Sequence, residues 1–304
     1  MPSDKPRRFT FLLLDRFTML PFTAAIEPLR LANRAAGRDL YSWRLVGPGR
    51  DWATCSNGAR VALDGGLDDT LPERDDVVIA CGGTEIAREA TRPVLTWLRK
   101  QARGGATVGA VCTGAWVLAE AGLLDGRKAT IHWENHDGFA EAFPQVDLYR
   151  SVFVNDGNRL TAAGGTSSID MMLHLIAEAQ GEALATEVAD QMLHTTIRTN
   201  QDRQRLSIPT RIGVRHPRLA ADAGMSTRQL ERLFRRYLNR SPKRYYMETR
   251  LARARNLLMQ TEMSIIEVAL ASGFSSPSHF SKCYRALYGG TPYRERGTGA
   301  AAQT

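Results

Sequence analysis

The sequence predicts an α/β domain with a doubly wound parallel sheet sandwich, followed by an all-α domain with two helix-turn-helix units. Three observations support this fold class. Apolar runs typical of buried strands alternate with helical patterns over about the first 195 residues. The alternation stops in a polar, basic segment, and a repeated helix-turn-helix pattern follows that segment.

The first predicted domain opens with a strand and a helix. Residues 9–14 form the continuous apolar run of a strand buried on both faces, and residues 24–36 carry apolar side chains at helical spacing. Glycines end two of the later helices. We predict further strands at 43–46, 60–63, 77–80, 106–111, 151–154 and 159–162, and further helices at 91–103, 115–121, 167–179 and 182–195.

The second predicted domain is entirely helical. Residues 198–216 are polar and basic with little periodicity, which is typical of a linker. We therefore predict domains over 8–196 and 217–298, joined by a linker over 197–216. The predicted helices of the second domain are 218–223, 227–238, 242–259, 265–271 and 277–287.

The net charge of +8 is unevenly distributed along the chain. Residues 1–200 hold 21 Lys and Arg against 25 Asp and Glu, a net charge of −4, whereas residues 201–304 hold 19 against 7, a net charge of +12. This imbalance predicts a polyanion-binding module attached to a nearly neutral body, and it disfavours a single compact enzyme.

Cysteine spacing and hydropathy exclude several classes of protein. Cys55, Cys81, Cys112 and Cys283 form no CxxC pair, so we expect neither a zinc site nor a disulfide scaffold, and we expect no cofactor. The apolar run near the N-terminus is too short for a signal peptide, and no run approaches the roughly 18 residues of a membrane span. We expect a cytoplasmic location and no membrane partner.

The internal repeat relates residues 219–226, LAADAGMS, to residues 268–275, VALASGFS. In each copy a glycine permits a tight turn and a serine caps the following helix, which is the pattern of a helix-turn-helix. The side chains predicted to face inward are Leu230, Leu233, Phe234, Phe280, Tyr284 and Leu287. The side chains predicted to bind DNA, which are of types that bond to base edges and phosphates, are Arg228, Gln229, Arg232, Arg235, Arg236, Ser276, Ser278, His279, Lys282 and Arg285.

The helix predicted at 242–259, between the two helix-turn-helix motifs, has a length that suits two contacts with DNA. At 1.5 Å per residue it spans about 28 Å, close to the roughly 34 Å that separates successive major grooves. The alternative interpretation is a basic helical bundle with solvated charges, which leaves the duplicated turn unexplained.

This part of the chain resembles the AraC/XylS family of bacterial regulators, through GMSTRQLERLFRRYLNRSPKRYYMETRLARARNLL and EVALASGFSSPSHFSKCYRALYGGTP. The resemblance implies a transcriptional regulator that binds promoter DNA and contacts RNA polymerase. Family members carry a helix and a short acidic loop between a segment like 214–217 and the first repeat helix, and this sequence lacks both. The first helix of the DNA-binding domain is therefore predicted to be missing, and we predict weakened DNA binding through the first helix-turn-helix. A protein that binds only its ligand is the alternative.

A cysteine at a strand-to-helix turn marks the first domain. Cys112 lies in AVCTGA with a glycine close by, which is the pattern of a nucleophile elbow. A helix N-terminus lowers the pKa of a thiol and offers backbone N–H groups to an anion. His132 and His136 are the candidate general bases. A small buried cysteine in a tight turn is the alternative interpretation.

The first domain resembles the DJ/PfpI-like superfamily, related to class I glutamine amidotransferases, through AVCTGAWVLAEAGLLDGRKATIHWENH and LTAAGGTSSIDMMLHLIAEAQG. The resemblance implies a flavodoxin-like fold. Enzymes of the superfamily pair the cysteine with an acid at the position of Pro21, and protease-like members have His where Thr113 stands. Cys112 and Thr113 are therefore predicted to be vestigial and non-catalytic. A Cys112-dependent hydrolase or hydratase with a basic appendage is the alternative.

The two halves together resemble the GlxA-type subgroup of AraC regulators, which includes regulators of glycine betaine, carnitine and arginine catabolism. The resemblance implies an activator of a catabolic operon, a homodimer formed through the first domain, and a small amino-acid-like or quaternary-ammonium effector. An aromatic ring with a carboxylate suits a quaternary ammonium, and the elbow N–H groups suit a carboxylate. Trp43 and Trp116 are equally explained as core residues. The predicted ligand-binding residues are Cys112, Thr113, Gly114, His132, Trp133 and Glu134.

Overall fold

The structure is a computed structural model that describes residues 5–49, 51–69, 74–204, 224–261, 263–274 and 276–301. The chain divides into two compact units, Met1–Arg205 and Leu206–Thr304. The boundary between the units falls inside the segment predicted as a linker.

The first unit contains eleven described strands. Seven form the central sheet in the order β10-β11-β7-β6-β1-β2-β5, in which neighbours are parallel except for β10 and β11. The others form the two-stranded pairs β3-β4 and β8-β9. The strands are β1 (Arg7–Leu13), β2 (Tyr41–Gly47), β3 (Trp52–Thr54), β4 (Arg60–Ala62), β5 (Gly65–Gly66), β6 (Val77–Cys81), β7 (Thr107–Val111), β8 (Lys128–Ala129), β9 (Asp147–Leu148), β10 (Phe153–Asn155) and β11 (Arg159–Ala162).

Helices cover both faces of this sheet. Those with buried residues in one apolar cluster are α1, α6 and α7, and those with buried residues in the cluster on the other face are α2, α3, α4 and α5. This arrangement confirms the predicted doubly wound α/β sandwich. The helices are α1 (Met19–Ala36), α2 (Ile86–Glu89), α3 (Arg92–Arg103), α4 (Ala115–Glu120), α5 (His136–Ala142), α6 (Ser167–Gln180) and α7 (Glu182–Gln191), with 3-10 turns at Leu67–Asp69 and Cys112–Gly114.

The apolar run after Arg8 explains why β1 lies in the middle of the sheet. Side chains alternate between the two faces of a strand. Phe9, Phe11 and Leu13 accordingly pack in one cluster, while Leu12 and Leu14 pack in the other. A strand with apolar residues at both its odd and its even positions can be buried on both faces, as a central parallel strand must be.

The structure of the first unit differs from the local predictions in three places. The helix predicted at 182–195 ends at Gln191, and Leu193 has a left-handed φ of 52°, which a helix cannot continue through. The strand predicted at 60–63 is present as β4, but it pairs antiparallel with β3, outside the central sheet. The helices α2 and α5 were not predicted, because four and seven residues are too few to show a helical period.

The second unit is helical throughout its described part, as predicted. Serines cap four of its helices: the hydroxyl oxygens of Ser226, Ser241, Ser264 and Ser276 accept from backbone N–H groups three residues on. The helices are α8 (Thr227–Leu238), α9 (Pro242–Gln260), α10 (Ile265–Ala271), α11 (Pro277–Tyr288) and α12 (Pro292–Ala301). Only α12 had no counterpart among the predicted helices of this unit.

Most of the predicted inward residues are buried. Leu230 and Phe234 form one small cluster, and Phe280 and Tyr284 belong to a second, larger one. Leu287 contradicts the prediction, since 39% of it is exposed. The helix predicted at 218–223, and with it the predicted loss of the domain's first helix, lies outside the described residues.

Two features are absent from the described residues. No helix there combines the length and the apolar character that crossing a bilayer requires. The same residues contain no group of three or more His, Cys, Asp and Glu side chains placed to hold a metal ion.

Candidate functional site

The predicted elbow is the turn between β7 and α4, where backbone segments pack closely against one another. Cys112 has a left-handed φ of 61°, an uncommon conformation for a residue with a side chain. A Cβ atom on Gly114 would lie 2.2 Å from the carbonyl oxygen of Ala80, and one on Gly83 would lie 1.9 Å from that of Arg16. Because only glycine permits these approaches, the chain fixes the position of the thiol.

The thiol of Cys112 is buried. Its Sγ lies 3.9 Å from the hydroxyl oxygen of Thr18, which precedes α1. Burial raises the pKa of the Cys112 thiol, the contacts with Thr18 and the Thr113 N–H oppose this rise, and the negative charge of Glu134 adds to it. The thiol is therefore protonated at neutral pH, unlike the thiolate of a nucleophilic enzyme.

His132, Trp133 and Glu134 border the elbow. The backbone N–H of His132 donates to the carbonyl oxygen of Cys112 at 3.3 Å. Burial lowers the pKa of the His132 imidazole, and Glu134, whose Oε2 is 3.9 Å from its Nδ1, partly opposes this effect. Trp133 is 37% exposed. The structure thus brings the predicted ligand-binding residues from two separate segments to one place.

The remaining predicted residues of this site have different surroundings. The Thr113 hydroxyl is buried and donates to the carbonyl oxygen of Gly83 at 2.7 Å, so it stabilises the elbow. His136 is buried at the start of α5, and Pro21 is buried in the first turn of α1. Trp116 packs edge-on against two phenylalanines, which confirms the core interpretation for that residue.

Two residues that shape this site were not predicted from the sequence. Thr18 supplies the hydroxyl next to the thiol, and Gly164 packs so closely that a Cβ there would lie 3.0 Å from the Cβ of Cys112. Gly164 has a φ of 99°, and the Gly-Gly pair in its segment was the available signal. Thr18 carried no signal, since it lies 94 residues from Cys112.

We expect iodoacetamide at pH 7 to modify Cys283 at least about tenfold faster than Cys112, because alkylation requires a thiolate and access. Cys283 is only partly buried and its Sγ lies 3.5 Å from the imidazole Nε2 of His279, whereas Cys112 is 6% exposed. Mass spectrometry of timed samples measures both rates, and guanidinium-unfolded protein provides the control in which all four cysteines react alike. Faster labelling of Cys112 would show that the elbow thiol is a reactive nucleophile.

The predicted DNA-binding residues lie on α8 and at α11. All five on α8 are exposed, as are Ser278, His279, Lys282 and Arg285 on α11. Ser276 differs from these, because its half-buried hydroxyl caps α11 by accepting from the backbone N–H of His279 at 3.3 Å. The two helices therefore present nine of the ten predicted side chains to solvent.

Two groups of arginines in the second unit differ in their partners. Arg240 and Arg244 form ion pairs with Glu248, and Arg255 pairs with Glu295. Within the described part of the chain, no such pair is recorded for the four arginines of α8, which are Arg228, Arg232, Arg235 and Arg236. The first group stabilises the helical unit, and the charge of the second group remains available to a polyanion.

Comparisons with known proteins cover both units. The chain matches the DJ-1/PfpI family over residues 7–178 and the helix-turn-helix domain family over residues 219–297. It is 45% identical to the HTH-type transcriptional regulator GbdR of Pseudomonas aeruginosa, covering 97% of this chain and 85% of that protein. It is 43% identical to the HTH-type transcriptional regulator CdhR of the same species, covering 95% of this chain and 91% of that protein.

Similar solved structures agree with the fold of the first unit. A crystal structure of an AraC family transcriptional regulator from Pseudomonas putida is 28% identical, with a TM-score of 0.56, and the similarity covers 62% of this chain and all of that one.

An enzyme is also similar in sequence over a shorter stretch. The isonitrile hydratase of Pseudomonas putida is 38% identical over 109 residues, which is 35% of this chain and 46% of the enzyme.

Proposed function

The chain belongs to the AraC family of helix-turn-helix transcriptional regulators that carry a DJ-1/PfpI domain, and from this premise we propose that it responds to a small zwitterionic metabolite bound beside Cys112. The metabolite is amino-acid-like or carries a quaternary ammonium group. The observation that carries this proposal is that Trp133 and Glu134 contact His132, whose backbone N–H donates to the carbonyl oxygen of Cys112 at the elbow.

The two ends of such a ligand require opposite partners. A quaternary ammonium is attracted by the face of an aromatic ring and by a carboxylate, which Trp133 and Glu134 provide. A ligand carboxylate is attracted by backbone N–H groups at a strand-to-helix turn, as at Cys112–Gly114. A protonated thiol adds no negative charge to repel that carboxylate, so the neutral state of Cys112 favours binding.

We propose further that the regulator activates a catabolic operon, acting as a homodimer through the first unit and contacting RNA polymerase. The exposed arginines of α8 and the basic side chains of α11 then bind the promoter. The effector must bind the DNA-competent arrangement more tightly than the other, because equal affinity for both shifts no equilibrium. A Cys112-dependent hydrolase is disfavoured by the protonated thiol and by the regulators to which the whole chain is similar.

Titration calorimetry with glycine betaine, carnitine and arginine tests the effector class. We expect binding of at least one of the three, and Glu134→Gln is expected to weaken it by about threefold, since the lost ion pair involves an exposed carboxylate. Glu187→Gln, which neutralises an exposed carboxylate on α7, is the matched control. The absence of heat with all three compounds would refute the zwitterion proposal.

A further inference from the structure

The end of the first unit folds back onto that unit. We refer to residues 198–204 as the strap. The side chain of Asp202 accepts from the N–H and the hydroxyl of Thr199 at 2.7 and 3.0 Å, which closes a turn. The N–H of Val152 donates to the carbonyl oxygen of Asp202 at 2.8 Å, and the N–H of Gln204 donates to that of Arg150 at 3.1 Å. Backbone hydrogen bonds thus fix the strap beside the segment that leads into β10.

The start of the strap is anchored by a buried carboxylate. Asp170 on α6 is fully buried, and its carboxylate accepts from the N–H of Arg198 at 2.8 Å and from its Nε at 2.9 Å. A ring nitrogen of His194 lies 2.8 Å from the same carboxylate. Arg198 also donates through Nη2 to the hydroxyl of Thr166 at 2.7 Å. Thr166 lies two residues from Gly164, which packs on Cys112.

The end of the strap is anchored by an amide. The Nε2 of Gln204 lies 2.9 Å from the Thr130 hydroxyl, 2.9 Å from the carbonyl oxygen of Ile131 and 3.1 Å from that of Ser151. Ile131 immediately precedes His132, whose N–H donates to the carbonyl oxygen of Cys112. Both anchors therefore bind elements that border the elbow.

We propose that the strap is a mechanical link between the ligand site at Cys112 and the chain that continues into the second unit, with Gln204 as its positioning residue. The inference rests on the proposed ligand site and names its route of regulation. A ligand that displaces the His132–Glu134 loop also displaces Ile131, one of the acceptors of Gln204. Coupling of this kind is reciprocal, so a change in the strap must alter the elbow.

The Gln204 amide is suited to a change of state. Its two N–H groups are shared among three acceptors, while its Oε1 is buried and has no hydrogen-bond partner in the described structure. A partly satisfied buried network gains from rearrangement more readily than a complete one. The neighbouring turn at Thr199 holds the remainder of the strap while this amide moves.

Hydrogen exchange of the full-length protein tests the link without any ligand. Gln204→Ala and the similarly shaped Gln204→Met are each expected to accelerate exchange of the His132 amide by about tenfold, because the loop loses a restraining hydrogen bond. Gln201→Ala is the matched control: Gln201 is exposed on the same strap, and its side chain makes no recorded contact in the described structure. Amides of β1 in the same samples report global unfolding.

The outcomes separate the inference from the function on which it rests. Faster exchange at His132 in both Gln204 variants, with the β1 amides and Gln201→Ala unchanged, supports the link. Equal exchange at His132 in the Gln204 and Gln201 variants overturns it, as does an equal acceleration in β1, which would indicate general destabilisation. If calorimetry detects no ligand, the proposed effector site fails, and the exchange rates still decide the strap.

Discussion

Arg198→Ala is expected to lower the free energy of unfolding of the first unit by about 3–5 kcal/mol, the cost of leaving a buried carboxylate without its partner. Asp170 is fully buried, and Arg198 supplies both charge and hydrogen bonds to it. The partial exposure of Arg198, at 32% of its side chain, and the remaining contact with His194 place the effect at the lower end of this range.

Thermal unfolding followed by circular dichroism measures this effect. At about 2–4 °C per kcal/mol for a unit of this size, the midpoint falls by roughly 6–12 °C. Arg30→Ala is the control, because Arg30 forms an ion pair with Glu27 one helical turn away in which both side chains are exposed, and such pairs contribute about 0–1 kcal/mol. If both variants melt at the same temperature, the buried pair has no special role in stability.

Replacing Arg232 and Lys282 together with alanine is expected to weaken binding to a DNA fragment selected from a random pool by about 100-fold. Each contact to a base edge or phosphate contributes about 1–3 kcal/mol, and each lost phosphate contact reduces the salt dependence of binding by about one unit. The pair includes one exposed side chain from each of α8 and α11, so both recognition helices are tested.

Fluorescence anisotropy at several salt concentrations measures the affinity and the salt dependence. The control is Arg92→Ala with Lys100→Ala, which removes the same charges from exposed positions at the two ends of α3. We expect this control to bind DNA with nearly the affinity of the unaltered protein. Equal losses in the two double variants would show that net charge, and not the recognition helices, determines binding.

Much of this fold was predictable because it is encoded in local patterns. The apolar residues of β1 and the serine before α8 act within a few residues, so strand, helix and cap follow from short segments. The elbow was predictable for the same reason, since its strand, cysteine and glycine lie within a few residues of one another. Leu287 was mispredicted because helical spacing shows which residues share a face and does not show where the core ends.

The strap could not have been predicted from sequence. Its two anchors join Arg198 to Asp170 over 28 residues and Gln204 to Thr130 over 74. Nothing in either local segment indicates a partner, and the composition of residues 198–204 is that of a solvated linker. Contacts of this kind depend on the completed sheet, which brings the segments before β10 and after β8 to one edge.

The buried, protonated thiol of Cys112 is also expected to react slowly with oxidants. Peroxides attack thiolates, and the reaction slows when a thiol is protonated and shielded from solvent. Burial maintains both conditions at this elbow. Burial of this thiol thus protects the elbow from oxidation, and a ligand bound there, as we propose, is detected independently of the redox state of the cell.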